Sequence, residues 1–239
     1  MNNRDNSDTI LNEQIAYYKA RSGEYDEWFF RQGRYDRGPE LNKLWFDELE
    51  IVRQALYTFN PAGNILELAC GTGLWTQHLL PNATRITAVD AVDEVIAINK
   101  NRLQSPLVQY IKADIFEWTP DNKYEVIFFA FWLSHVPAER FETFWALIDD
   151  ALIPGGRVFL IDSLYDWTST ARDHLLGAKQ DTMIKRRLND GREFSIVKVF
   201  HQAKQLSNRL QNMGWQFTLK ETPHYFLYGY GAKSKMEKI

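Results

Sequence analysis

The 239-residue chain predicts an α/β fold, a mainly parallel sheet with helices on both faces. Three observations carry that expectation. Short apolar runs alternate with amphipathic stretches from about residue 64 to residue 162. The run from Tyr124 to Trp132 is almost free of polar residues, as suits a central strand buried on both faces. Gly71 and Gly73 follow the apolar run Ile65 to Ala69, and a helix begins near Leu74. A strand, a glycine turn and a helix N-terminus in that order let a nucleotide-like ligand approach the backbone.

Composition narrows the classes. A formal net charge of -3 gives no reason to expect nucleic-acid binding, which needs a basic face. Lys185, Arg186 and Arg187 form the clearest basic run, and a run that short reads as a solvated face. Cys70 has no second cysteine to pair with. No early apolar run resembles a signal peptide or a membrane span, so a cytoplasmic protein without membrane contact is expected. The start, Met1 to Asp8, is polar and is expected to be disordered.

Taken in order, Thr9 to Arg31 reads as one or two short helices, unusually rich in aromatics: Tyr17, Tyr18, Tyr25, Trp28, Phe29 and Phe30. These either pack a helix onto the core or form a lid over a ligand. Arg31 to Pro39 is a loop, and Glu40 to Phe59 an amphipathic helix. Strands follow at Ile65 to Ala69, Arg85 to Val89, Val108 to Ala113, Tyr124 to Trp132 and Val158 to Ile161, the last after a turn at Pro154-Gly155-Gly156. Helices separate them at Leu74 to Leu80, Glu94 to Arg102 and Phe141 to Leu152. After Asp162 the alternation breaks. Trp167 to Lys179 reads as a helix, and Asn189-Asp190-Gly191 as a hairpin turn between Thr182 to Leu188 and Glu193 to Phe200. A helix from Gln202 to Met213 ends at Gly214, and two closing strands, Phe217 to Glu221 and Tyr225 to Tyr230, should pair antiparallel.

Ligands of an open parallel sheet bind beyond the carboxyl ends of its strands. That edge gathers Glu67 to Gly73, Asp90, Asp114, the Phe131, Trp132 and His135 group, and Asp162. Asp90 lies seventeen residues past Gly73, where a carboxylate can accept from both ribose hydroxyls or cap the next helix. Asp114 can accept from an adenine amine while Ile115 covers the ring, or can serve as a turn residue. His135 is the best candidate for a general base, with anchoring of the loop or orienting of the substrate as the alternatives. No His, Cys or carboxylate set shows metal-ligand spacing.

The run Glu67-Leu68-Ala69-Cys70-Gly71-Thr72-Gly73 resembles the first motif of class I S-adenosylmethionine-dependent methyltransferases, with Ala69 in place of its first glycine. Asp90, Ala113-Asp114-Ile115 and Leu152-Ile153-Pro154-Gly155-Gly156 are similar to that family's later motifs in order and spacing. Tyr17-Tyr18-x-x-Arg21-x-x-Glu24-Tyr25-Asp26 is similar to the lid segment of members acting on small molecules. The resemblance implies a Rossmann-like, seven-stranded, mostly parallel sheet with an antiparallel last strand and an N-terminal helical lid. It implies S-adenosylmethionine as cofactor, bound by Tyr18, Arg21, Glu67, Ala69, Gly71, Gly73, Asp90, Ala91, Asp114, Ile115 and Phe131.

One domain is expected, with a lid over 1–60, a cofactor-binding core over 61–162, an insertion over 163–200 shaping the acceptor pocket, and the last helix and closing strands over 201–239. The expected reaction is in-line methyl transfer to a small, ring-bearing or partly apolar acceptor. Tyr25, Trp28, Trp132, His135, Tyr165 and Trp167 are the expected acceptor-pocket residues. The competing readings are an NAD(P)-dependent oxidoreductase and a non-catalytic module that binds S-adenosylmethionine. Thr76 stands where a dinucleotide fingerprint needs a glycine or alanine, which disfavours the first.

Overall fold

The computed structural model describes residues 3–234, with side chains from residue 9 onward. The chain enters through α1 (Asn3–Arg21) and α2 (Tyr25–Phe29), makes a 3-10 turn at Gly33–Tyr35, and continues into α3 (Pro39–Phe59). Then come β1 (Gly63–Leu68), α4 (Thr76–Leu79), β2 (Ala83–Asp90), α5 (Asp93–Leu103), β3 (Val108–Lys112), β4 (Tyr124–Ala130), α6 (Phe141–Ala151) and β5 (Leu152–Ser163). A separate hairpin of β6 (Met183–Arg187) and β7 (Glu193–Val197) precedes α7 (Ala203–Asn212), β8 (Trp215–Glu221) and β9 (Phe226–Lys233).

Seven strands form one sheet in the order β3-β2-β1-β4-β5-β9-β8. The first five are parallel, and β9 runs antiparallel to both β5 and β8. Strand order reverses between β1 and β4, and that reversal opens a crevice at their carboxyl ends. Strand alternation sends side chains to two cores. Val126 and Phe128 of β4 join Trp45, Leu49, Val52 and Leu56 of α3, while Ile127 and Phe129 join Phe144, Trp145 and Ile148 of α6 and Leu206 and Leu210 of α7. Buried Glu48 of α3 fastens the β8–β9 turn by accepting from the Tyr225 amide (2.9 Å) and the Thr222 hydroxyl.

Three expectations differ from this structure. Helix α1 begins at Asn3, so the polar start is helical from there; Met1 and Asn2 lie outside the described residues. Adding residues to an existing helix costs far less than starting one. The glycine turn before the fifth strand is absorbed into β5 as an irregularity, where pairing jumps from Tyr124↔Leu152 to Val126↔Arg157 and Gly155 takes φ 83°. Trp167 to Lys179 is not a helix but a 3-10 turn at Trp167–Ser169 followed by irregular chain. The N-terminal segment takes the carbonyls that a helix would use. Arg31 donates to Thr168 O (2.6 Å) and Ser169 O (3.2 Å), Trp28 Nε1 to Ser169 O (2.8 Å), and Arg37 to Thr170 O (2.9 Å).

Candidate active site

The crevice holds two chambers that share a wall. The first spans about 750 Å³, part of it open to solvent. Its floor is Ala69 and Gly71 after β1, Asp90 and Ala91 after β2, Asp114 to Phe116 after β3, and Phe131 and Trp132 after β4. Leu11, Gln14, Ile15, Tyr18 and Tyr25 of the N-terminal helices close it from above. The second chamber, about 590 Å³, lies between those helices and the β6–β7 hairpin. Tyr18, Tyr25, Phe131 and His135 line both.

The backbone at this joint is held in unusual conformations. Ala69 (φ 53°) and Phe131 (φ 56°) both occupy the left-handed region that L residues avoid, at the ends of adjacent β1 and β4. For Phe131 the amide donates to Ile161 O (2.8 Å), which fixes the turn that points the ring into the joint. Gly73, expected to meet a ligand, is explained by the protein itself. A Cβ there would lie 2.5 Å from Asn99 Oδ1, and Gly73 lines neither chamber. Asn99 donates to Cys70 O, Gly71 O and Thr76 Oγ1, bracing the turn from below.

Two carboxylates at this edge are perturbed. Asp90 accepts from the amides of Gly71 (2.9 Å) and Val92 (3.0 Å), while burial raises its pKa to about 6. Glu67 is 2% exposed, and burial raises its carboxyl to about 8, opposed by a hydrogen bond from Thr76. Its Oε2 is buried with no partner, beside a smaller cavity lined by Ala69, Gly71 and Tyr25. Asp114 accepts from the Phe116 amide (2.9 Å), and Ile115 is buried next to it. Asp26 of α2 bonds Thr72 Oγ1 (2.6 Å) and pairs with Arg102 of α5, which also donates to Thr72 O (2.6 Å). The lid is thus tied to the glycine turn.

The second chamber is cationic. Arg21 of α1, Arg186 of β6 and Lys198 after β7 line it, with the hydroxyls of Tyr35, Ser163, Ser169 and Thr170, and it is lined by no carboxylate. Lys198 Nζ donates to Ser134 Oγ (2.8 Å) and lies 3.6 Å from Asp162 Oδ1. Burial lowers its ammonium to about 8 despite that carboxylate. Asp162 itself is held by the amides of Ser134 and Ser163, both at 2.7 Å. Arg186 donates to Thr170 Oγ1 (3.0 Å), and Arg21 lies over the Tyr25 ring with its buried Nε unpartnered.

Several expected placements change. Arg21 faces the second chamber, not the first. Trp132 lines the first chamber beside Phe116, away from the second. Tyr165 and Trp167 line neither. Tyr165 lines an outer groove and its hydroxyl donates to Gly177 O, and Trp167 is 65% exposed under Arg37. Tyr165 precedes and Trp167 begins the short turn capped by Asp166, and neither side chain reaches the joint. Arg186 and Lys198 line the second chamber and are not among the expected site residues. The Lys185-Arg186-Arg187 run is not one solvated face, because β6 alternates and turns only Arg186 inward. The hairpin signal together with period-two alternation marked Arg186; Lys198 carried no comparable signal.

A model of the methyltransferase domain matches residues 65–156, which contain the glycine turn and strands β1 to β4. The structure superposes on the DhpI–SAH complex with a TM-score of 0.78 and 34% identity, covering 95% of this chain and 98% of that one. For the DhpI–SAM–HEP complex the figures are 0.76 and 35%, over 93% and 97%. The malonyl-[acyl-carrier protein] O-methyltransferase 1 of Ilyobacter polytropus is 33% identical over 98 residues, 39% of this chain. The aligned stretch spans about a third (35%) of that curated relative's length. The chain belongs to the class I S-adenosylmethionine-dependent methyltransferases. It is an enzyme of that class, and S-adenosylmethionine is its methyl donor. Among the described residues no helix is long and apolar enough to cross a membrane.

Proposed function

We propose that this enzyme methylates a small acceptor that carries a negative charge, held in the second chamber by Arg21, Arg186 and Lys198. The observation that carries this reading is the charge imbalance: buried Arg21 and Lys198 and half-buried Arg186 line the chamber, no carboxylate lines it, and Asp162 lies 3.6 Å behind Lys198. Buried cations without matching carboxylates are costly, and an anionic ligand offsets that cost. The apolar surfaces of Trp28, Phe131, Leu176 and Phe200 leave room for a small apolar part. A purely ring-bearing, uncharged acceptor would leave the cations unanswered.

In this reading the first chamber takes the cofactor. Asp90 accepts from the ribose hydroxyls, its Gly71 and Val92 bonds fixing the carboxylate. Asp114 and Ile115 flank the adenine, with Phe116 and Trp132 beside them. Glu67, with a buried oxygen that lacks a donor, fits the cationic amino group and ionises when paired with it. The cofactor supplies a sulfonium-bound methyl group already activated for displacement. The protein's work is alignment. Tyr18, Tyr25 and Phe131 form the shared wall across which the acceptor must approach, and holding two reactants in line is worth roughly 7–11 kcal/mol in favourable cases. An acceptor already ionised by the three cations needs no proton removed.

Inorganic sulfate tests the reading. Calorimetry of sulfate into the enzyme saturated with S-adenosylhomocysteine should give one saturable site. Arg186→Gln should weaken it about tenfold or more, the scale of one charge-assisted hydrogen bond. Absence of sulfate binding, or equal affinity in the variant, would refute the anionic acceptor.

A further inference from the structure

The shared wall contains a hydrogen-bonded pair whose proton positions follow from the geometry. His135 Nδ1 lies 2.7 Å from Val197 O. A carbonyl can only accept, so Nδ1 carries a hydrogen and donates it. In a neutral ring Nε2 is then an acceptor, and Tyr18 Oη lies 2.8 Å from it. The phenol hydrogen is committed to His135. The Tyr18 oxygen therefore turns only lone pairs toward the joint of the two chambers, both of which it lines.

The arrangement is braced from three elements. Gln14 of α1 donates to His135 O (3.3 Å) and accepts from the Val197 amide (3.2 Å), so one side chain ties helix, histidine loop and hairpin together. His135 is 6% exposed. Lys198, Arg186 and Arg21 are the charged groups that bear on it, all cationic. Burial first, then Lys198, drives its imidazolium form well below the ordinary range, and burial raises the Tyr18 phenol well above its own. Neither group changes charge near neutrality. A proton passed to His135 would create a fourth cation beside Arg21, Arg186 and Lys198 at a buried position.

We propose that His135 is a positioning residue, not the base of the reaction: by taking the Tyr18 proton it makes the Tyr18 oxygen an acceptor-only group that favours the positively charged methyl donor over its uncharged product. The inference deepens the function proposed above and rests on its assignment of the two chambers. Methyl transfer then balances without the protein gaining or losing a proton. The carbon–sulfur bond breaks with its electron pair left on sulfur, and the anionic acceptor atom supplies the pair for its new bond to carbon. Tyr18 loses its favourable charge–dipole contact as the sulfonium becomes a thioether, which helps the product leave.

The test needs no acceptor. Calorimetry gives the ratio of affinities for S-adenosylmethionine and S-adenosylhomocysteine. Tyr18→Phe should lower the preference for S-adenosylmethionine about two- to tenfold, as expected for loss of one weak charge–dipole contact. His135→Ala should lower it by a similar factor, and the double variant should fall no further than either single one. His135→Gln, whose amide oxygen can replace Nε2, should recover part of the preference. Long-range ¹⁵N–¹H spectra of the wild-type enzyme bound to S-adenosylhomocysteine should show His135 protonated on Nδ1 alone from pH 6 to 8. An Nε2-protonated or doubly protonated ring, an unchanged ratio in Tyr18→Phe, or additive effects would overturn the proposal. If sulfate fails to bind while the ratio behaves as stated, the acceptor assignment fails and the Tyr18–His135 assignment stands.

Discussion

Raising the pH should switch off one of the three acceptor cations. Burial lowers the Lys198 ammonium to about 8, with Asp162 opposing the fall. Arg21 and Arg186 keep their charge throughout because guanidinium does not deprotonate in proteins. An anion that binds the protonated lysine raises its pKa, so affinity is greatest below pH 8 and falls as pH rises through 8. With a free-state pKa near 8, the protonated fraction drops from roughly 0.9 at pH 7 to roughly 0.1 at pH 9, and sulfate affinity should fall about tenfold. Sulfate stays a dianion over this range, so the slope belongs to the protein. Glu67 also titrates near 8 in the ligand-free enzyme, which is why saturating S-adenosylhomocysteine is needed to hold it ionised. Calorimetry in buffers of different ionisation enthalpy should show proton uptake accompanying sulfate binding at pH 8.5. In Lys198→Gln both the slope and the uptake should vanish. Constant affinity from pH 7 to 9, or a slope that persists in Lys198→Gln, would refute the reasoning.

Further expectations follow from the cofactor side. Ala69→Gly should raise thermal stability by up to about 1 kcal/mol, or roughly 2–4 °C, because relief of the φ 53° strain outweighs the added unfolded-state entropy; a fall in melting temperature would show that Ala69 is not strained. Gly73→Ala should cost about 2–3 kcal/mol, since the new Cβ meets Asn99 Oδ1 at 2.5 Å from a backbone at φ 88°, and a chemical denaturation curve reads this directly. Glu67→Gln should stabilise the ligand-free enzyme at pH 8 and weaken S-adenosylmethionine binding about ten- to a hundredfold. The sign follows from its raised pKa: ionisation in the unfolded chain above about 4.5 is matched in the folded one only near 8, so stability contributed by the buried neutral acid declines over that window. An unchanged melting temperature with unchanged affinity would remove Glu67 from the site.

The sheet was legible because its signals are local. The Tyr124 to Trp132 run, the glycine turn and the acidic strand ends each report their own burial or turn. The antiparallel closure by β8 and β9 was legible from the short Pro223 connection. The second chamber was not, because distant segments build it. Arg21 comes from α1, Arg186 from β6 and Lys198 from the chain after β7, and they meet only because Tyr17 and Gln14 seat α1 on the hairpin. Aromatic richness pointed to an apolar pocket, yet Tyr17 and Phe29 are spent on packing, and Trp28 packs T-shaped against Phe131. Trp167 to Lys179 reads as a helix only while the arginines of the N-terminal segment are out of view.

The acceptor's charge is the centre of this account, and methyl transfer itself measures it. The enzyme is supplied with S-adenosylmethionine labelled in the methyl group and offered matched pairs of small acceptors that differ only in an acidic group and its neutral amide. Label should enter the acids alone, with the rate strongly reduced in Arg186→Gln. Label transferred equally to the amides, at a rate indifferent to Arg186, would contradict it.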